Sequence, residues 1–289
     1  MPTRQPSDRR PESPWRRSLR AARRDPRTVL GAGIVATVIL LAGLAPVLSP
    51  YDPNTPDFLA TLAAPSRAHW AGTDELGRDV LSRIVWGARA SLVVGLISVG
   101  GALAVGSLIG LVAGYFGRRV DTVLMRAMDV IFAFPSILLA LAITAALGPS
   151  LGNAMIAIAV VYVPVFARLA RGQVLVIREM TYVEASRALG TDSRTIILQH
   201  IAPNILSPLV IQGSLLFASA IITESYLSFL GLGIQPPAPS WGSMLKTAIG
   251  YLGQAAWMAW FPGLAIFLAV LGLNILGDGL RDVLDPRQG

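Results

Sequence analysis

Cysteine is absent from this 289-residue sequence. Without a thiol there is no disulfide, no thiolate metal site and no cysteine nucleophile. Lysine is almost absent: the single one is Lys246, and Leu245 precedes it. A phosphate-binding loop, G-x-x-x-x-G-K-[ST], requires a lysine directly after a glycine. This chain therefore cannot carry one. Histidine occurs only as His69 and His200, in no H-E-x-x-H pattern, which argues against a zinc hydrolase. The potassium-filter sequence T-V-G-Y-G is also missing. Charge is sparse, at 14% of residues, where a soluble domain carries roughly a quarter.

What fills the chain is apolar: 53% hydrophobic residues, with a mean hydropathy of +0.59. Long uncharged runs alternate with short charged clusters, which is the pattern of several membrane spans. The net charge of +7 is nearly all arginine at span ends, so no nucleic-acid partner is expected. Residues 1–27 are rich in arginine and proline and have no apolar centre. The first apolar run, 29–48, is long for a signal-peptide core and reads as a retained anchor.

The pattern predicts an all-α, polytopic membrane protein with six spans. The first is 29–48, ended by the prolines of "SPYDPNTP". A polar segment follows to about Arg89. Within it, "DELGRDVLSRIVWGAR" predicts a separate amphipathic helix, capped by Asp74, with an Asp79–Arg83 pair on its polar side. The second span is 91–115, rich in small residues that let helices approach closely. "FGRRVDTVLMRAMD" reads as a short charged turn. "GPSLGN" divides the uncharged run 130–166 into a third and a fourth span. A fifth covers 205–223. "GLGIQPPAPSWGS" reads as a Pro/Gly loop, and a sixth span covers 255–276. Three regions follow: a tail at 1–27, an anchor with an external segment at 28–90, and a core at 91–289. Asp129, Glu224 and Asp278 fall near predicted span ends, where water or headgroups reach.

Six spans put both termini on one side. Nineteen arginines fall on that side, against four arginines and Lys246 on the other. The positive-inside rule predicts that the arginine-rich side, with both termini, is cytoplasmic.

One cytoplasmic connection is unusually long. "YVEASRALGTDSRTIILQHIAP", residues 182–203, reads as a helix over 179–189, a glycine turn at Gly190, and a second helix over 194–201 capped by Asp192 or Ser193. Pro203 then leads into the fifth span. A passive connection needs only a few residues. The pair is either a cap on the bundle or an element that transmits motion.

Glu184-Ala185-Ser186, then Gly190, then Pro203 resembles the "EAA" loop of ABC-importer permeases. Ser186, His200 and Ala202 depart from the usual pattern. "GTDELGRDVLSRIVWGARASL", "FAFPSILLALAI", "ESYLSFLGLGIQPPAPSWGSML" and "LNILGDGLRDVLDPR" resemble the dipeptide/oligopeptide branch, in its DppC/OppC-type subunit. The likeness extends over about 71–287.

The resemblance implies a non-catalytic permease subunit of a bacterial inner-membrane importer. Its coupling loop, 170–204, would dock on ATP-binding subunits through Glu184, Ala185, Ser186, Arg187, Gly190, His200 and Pro203. It implies no cofactor in this chain, and ATP with Mg on partner subunits. It also implies a homologous DppB/OppB-type permease partner and an external substrate-binding protein. Asp74, Gly77, Arg78, Asp79 and Trp241 are then candidates to face an external partner. The rival reading is a self-contained secondary transporter or channel for a small solute.

Overall fold

Asp25 starts the first helix of the computed structural model, which describes residues 25–284. Most of the tail at 1–27, and the chain end with Arg287, lie outside the described residues. The Asp25 carboxylate accepts from the Thr28 amide at 2.9 Å, and Pro26 opens helix α1 (Pro26–Gly43). Proline suits a first turn because its missing N–H would have no helical partner there. A short helical turn, Ala45–Leu48, extends the span to its predicted end.

Helix α2 (Val80–Phe116) is 37 residues long, about 55 Å at 1.5 Å per residue. The separate amphipathic helix expected ahead of the second span does not exist. Residues 74–78 are a turn, and the remainder is the start of α2. The cap moves accordingly from Asp74 to Asp79, whose carboxylate accepts from the Ser82 amide at 2.7 Å. Asp74 is unavailable because its own carboxylate already takes the Leu76 and Arg78 amides. The Asp79–Arg83 pair does not form either. Arg83 reaches the Pro53 carbonyl at 2.7 Å and Asp74 at 3.5 Å. The division drawn at residue 90 falls inside this helix.

The charged segment after α2 is a helix, α3 (Arg118–Phe132), and not a turn. Its polar residues Arg118, Asp121, Thr122, Arg126 and Asp129 recur at three- and four-residue spacing, and that period makes one helix face. The third span is accordingly not a straight rod from Val130. The chain bends by 88° between α3 and α4 (Ser136–Leu147). Pro135 disfavours helical geometry at Phe134 and cannot continue α3.

Ser150 caps α5 (Leu151–Ile177) by accepting from the Asn153 amide at 3.1 Å. This helix runs well past the predicted end at Phe166. Its arginines pair sideways instead of stopping it. Arg171 takes Asp121 of α3, Arg168 takes Asp129, and Arg178 donates to the Gly114 carbonyl at 2.8 Å.

After the short helix α6 (Thr181–Ala188), one continuous helical stretch runs Ser193–Phe229. It contains a π-helical turn, Ile196–Ile201, and then α7 (Ala202–Phe229). The predicted second short helix and the fifth span are thus one body. The Pro/Gly loop also holds a helix, α8 (Trp241–Ala248), whose start is a Ser240–Ser243 capping box. Helix α9 (Trp257–Leu284) follows.

Five of these bodies are long and apolar enough to cross a membrane, and the bent α3–α4 pair makes a sixth. No strand forms among the described residues, only an isolated bridge between Thr73 and Asp79. The largest core lies where α2, α5 and α7 meet, around Val94, Ile158, Phe166 and Leu209. Glycine at Gly106, Gly110 and Gly114 brings α2 against the α5 backbone: a methyl at Gly106 would sit 2.5 Å from the Val163 carbonyl and 2.7 Å from Phe166 Cβ. A second core joins α1 to α9, and a third holds the external segment on α8 and α9. Leu96, Leu108, Ile156 and Phe267 are among many large apolar side chains left more than half exposed. Such a surface suits lipid and not water.

Candidate coupling site

Helix α6 buries one side chain in the bundle. Val183 is fully buried in the same core as Ile177, Ile196 and Ile201. The residues around it, Glu184, Ala185 and Arg187, are exposed, and Glu184 and Arg187 make no ion pair with another described residue. Glu184 lies in the first turn and Arg187 in the last, each at the helix end whose dipole favours its charge. Ser186, where the family pattern has alanine, turns its hydroxyl back onto the Tyr182 carbonyl at 2.9 Å. The departure is therefore absorbed inside the helix.

The turn after α6 is a Schellman cap. Gly190 N–H donates to the Arg187 carbonyl at 3.0 Å and Thr191 N–H to the Ser186 carbonyl at 3.1 Å. Gly190 has φ +79°, and no atom lies within 4 Å of where its Cβ would be. Glycine is required here for its left-handed backbone alone, not for space. Asp192 then caps the next helical stretch, accepting from the Thr195 amide at 3.1 Å. The Thr195 hydroxyl and amide hold the Asp192 carboxyl below the usual carboxylate range.

The π-turn has a cause in the sequence. Pro203 has no N–H, and its ring would press on the carbonyl four residues back, that of Gln199. The backbone widens, and Ala202 N–H donates five residues back, to the Ile197 carbonyl. Pro203 therefore does not stop a helix; it sets a wide turn within one. Beside it, Asn204 Nδ2 donates to the His200 carbonyl at 2.6 Å and to Tyr182 Oη at 3.2 Å. The His200 ring meets the Tyr182 ring edge-on, with centroids 6.1 Å apart.

The residues expected to face an external partner are all buried within the chain. Asp74, Arg78, Asp79 and Trp241 are 5%, 8%, 3% and 2% exposed. Arg78 Nε donates to Asp74 at 2.7 Å and Arg78 Nη2 to Glu75 at 2.8 Å. Asp79 faces His69 Nδ1 at 3.0 Å. Trp241 Nε1 donates to the Ile84 carbonyl at 3.0 Å. Gly77, at φ +75°, lies against the Asp57 backbone with no room for a side chain. These residues fasten the external segment down, because charged and aromatic groups that pair with each other bury readily. They do not present themselves to another protein.

Comparison with known proteins places the chain in a family. Residues 106–289 match the binding-protein-dependent transport system inner membrane component, and residues 13–65 match the N-terminal transmembrane domain of oligopeptide transport permease C. The chain is 48% identical to a dipeptide transport system permease protein, DppC, of Alkalihalophilus pseudofirmus, over 96% of this chain and 91% of that one. It is 45% identical to a glutathione transport system permease protein, GsiD, of Pectobacterium atrosepticum, over 97% and 93%. It is 46% identical to a di/tripeptide permease protein of Pseudomonas aeruginosa, over 86% and 84%.

The chain belongs to the binding-protein-dependent permease family.

A solved structure of the MetNI methionine ABC transporter, in an inward-facing conformation, shares the permease's fold. Its TM-score is 0.58 at 19% identity, over 70% of this chain and 97% of that one. The permease is thus a multi-pass inner-membrane subunit of an ABC importer, and the rival reading of a self-contained transporter gives way. Its family works with ATP-hydrolysing and substrate-binding components.

Of the predicted coupling residues, the fold brings Glu184, Ala185, Ser186, Arg187 and Gly190 together on α6 and its cap. His200 and Pro203 lie in and beside the π-turn that α6 touches. Sequence reasoning missed Val183, Tyr182, Leu189 and Asn204. A lone valine among polar neighbours was the available signal for the first. Nothing in the order of residues linked Tyr182 to Asn204.

Among the intramembrane acids, Asp129 and Asp278 are exposed, as expected of span ends. Glu224 is not: it is fully buried. Its Oε1 accepts from Ser228 Oγ at 2.6 Å, and its Oε2 faces Ser91 Oγ of α2 at 3.4 Å. Ser228 Oγ in turn accepts from the Ile234 amide at 3.2 Å. Glu224 therefore ties α2, α7 and the Pro-rich loop together.

Proposed function

We propose that the permease imports short peptides, in a complex with a homologous DppB/OppB-type permease, two ATP-binding subunits and an external substrate-binding protein. The substrate class rests on the relatives: dipeptides, di- and tripeptides and glutathione are what their names state. ATP and Mg belong to the partner subunits, since a single lysine after a leucine excludes a phosphate-binding loop here. This chain carries no catalysis of its own. Both termini and α6 face the cytoplasm on the arginine balance.

The observation that supports the coupling role is the exposure pattern of α6. One residue, Val183, is anchored in the core, while Glu184, Ala185 and Arg187 stand free and Leu189 is 86% exposed. A large apolar side chain in water between charged neighbours is what a docking helix offers a cleft. Glu184 and Arg187 supply ion-pairing at its rim. ATP binding then favours one of two bundle packings through contacts that differ between them.

The test is reconstitution. The permease alone in liposomes should neither hydrolyse ATP nor take up peptide. The full complex with a loaded binding protein should do both. Uptake by this chain alone, driven by an ion gradient, would refute the proposal.

A further inference from the structure

We propose that Tyr182 and Asn204 form the mechanical link by which a displacement of α6 enters α7. The inference rests on α6 being the element that engages the ATP-binding subunits. The covalent path between α6 and α7 is a poor transmitter. It passes through Gly190, whose turn is held by its own backbone bonds with no atom packed where a Cβ would stand, so a push there can be taken up by local rotation. Val183 anchors α6 through apolar contact, which is non-directional. A directional link must come from hydrogen bonds.

The described residues supply one such link. Tyr182 Oη, on α6, accepts from Asn204 Nδ2 of α7 at 3.2 Å. The same amide gives its second hydrogen to the His200 carbonyl at 2.6 Å, and Tyr182 Oη lies 3.5 Å from that carbonyl. A carboxamide has two N–H donors in one plane, so both bonds can be held at once. The three groups form a closed triangle that spans the interval between α6 and the first turn of α7, bypassing the glycine hinge.

Its position on the π-turn gives it something to act upon. The turn carries one residue more than an α-turn and exists because Pro203 forbids the tighter ladder. Such a turn cannot close at Pro203, but it can shift by one residue along the helix, rotating the helix beyond it. Asn204 binds the His200 carbonyl inside that turn, so a pull on Tyr182 acts directly on the turn. Tyr182 and Asn204 are positioning residues in this account, and neither contacts substrate or nucleotide.

The experiment uses the complete importer in proteoliposomes, with peptide uptake and ATP hydrolysis measured on the same sample. Tyr182→Phe, Asn204→Ala and the double variant are compared with the unaltered permease. The expected result is a fall of about 3- to 10-fold in peptide imported per ATP hydrolysed, the scale of one hydrogen bond. The double variant should fall no further than the single ones, because they break one link. A purely structural role predicts that uptake and hydrolysis decline together, with their ratio unchanged, and that result overturns the proposal. Should Asn204→Ala lower abundance, Tyr182→Phe removes only one oxygen and still decides the matter. Leu189→Asp, on the exposed end of α6, separates the two levels of inference. If it uncouples while Tyr182→Phe does not, the link is refuted and the docking role of α6 stands. If Leu189→Asp also keeps the normal ratio, the docking role itself is refuted.

Discussion

The guanidinium of Arg171 grips the carboxylate of Asp121 with two hydrogen bonds, with Nε 2.5 Å and Nη2 2.6 Å from its two oxygens. The two residues are 50 positions apart, and the pair fastens α3 to α5. Two parallel bonds of this kind fix orientation as well as distance. The salt bridge holds the Asp121 end of α3 while Arg168 and Asp129 hold the other.

Asp121→Asn should loosen that joint. Arg171 is 35% exposed, so water screens part of the gain and the cost should be only about 1 kcal/mol. The purified permease complex should melt a few degrees lower. Arg171→Lys should do nearly the same, because an ammonium cannot reproduce the fork. The exchanged pair, Asp121→Arg with Arg171→Asp, should recover part of the loss. Equal melting for all four proteins would show that the joint contributes nothing.

Gly190 should respond to backbone preference and not to side-chain size. Valine at a left-handed position costs about 1–2 kcal/mol, and asparagine much less. Gly190→Asn should therefore transport nearly normally, while Gly190→Val should reach the membrane and transport poorly. Immunoblotting of membranes beside uptake assays distinguishes this order from one set by volume.

Topology can be read with single cysteines, since the natural chain has none. Cysteine at Ser193, exposed beside Asp192, should resist an impermeant thiol reagent in intact cells. Cysteine at Thr55 or Ala238, both exposed in external segments, should label. Labelling of Ser193→Cys from outside would invert the proposed sidedness.

Glu224 should matter through its hydrogen bonds. Glu224→Gln keeps an acceptor for one serine and a donor for the other, so membrane abundance should stay near normal. Glu224→Ala leaves the Ser91 and Ser228 hydroxyls without this partner in the bundle, at about 1–3 kcal/mol. Its melting temperature and abundance should both fall. A Gln variant as damaged as the Ala variant would mean that the charge itself is needed.

Much of this architecture was legible because apolar period and arginine bias survive any packing. The short helix α6, its Gly190 turn and the Asp192 cap were readable, since each is a local rule about a few neighbours. The bend at Pro135, the helical character of 118–132 and the π-turn at Pro203 were missed. In the last two, a residue that reads locally as a turn or a stop sits in a helix sustained by partners distant in sequence: Arg171 for Asp121, Tyr182 for Asn204. The external segment failed for the same reason. Asp74, Arg78 and Asp79 look like exposed charges in order, and only the fold shows that Asp74 pairs with Arg78 and that Asp79 lies against His69 and caps α2. Glu224 looked like a span-end acid until Ser91, 133 positions away, closed over it.

Gly106, Gly110 and Gly114 leave no clearance between α2 and α5. Two rods in backbone-to-backbone contact along about two turns cannot slide past one another without collision, so they behave as a keel. Strain delivered at the α6 end of the bundle has to be relieved elsewhere. The helix that starts at Ser193 is built for it, with a wide turn at its base and Pro208 further along. The division of labour is therefore written into composition: glycine where the molecule must stay still, proline where it must give.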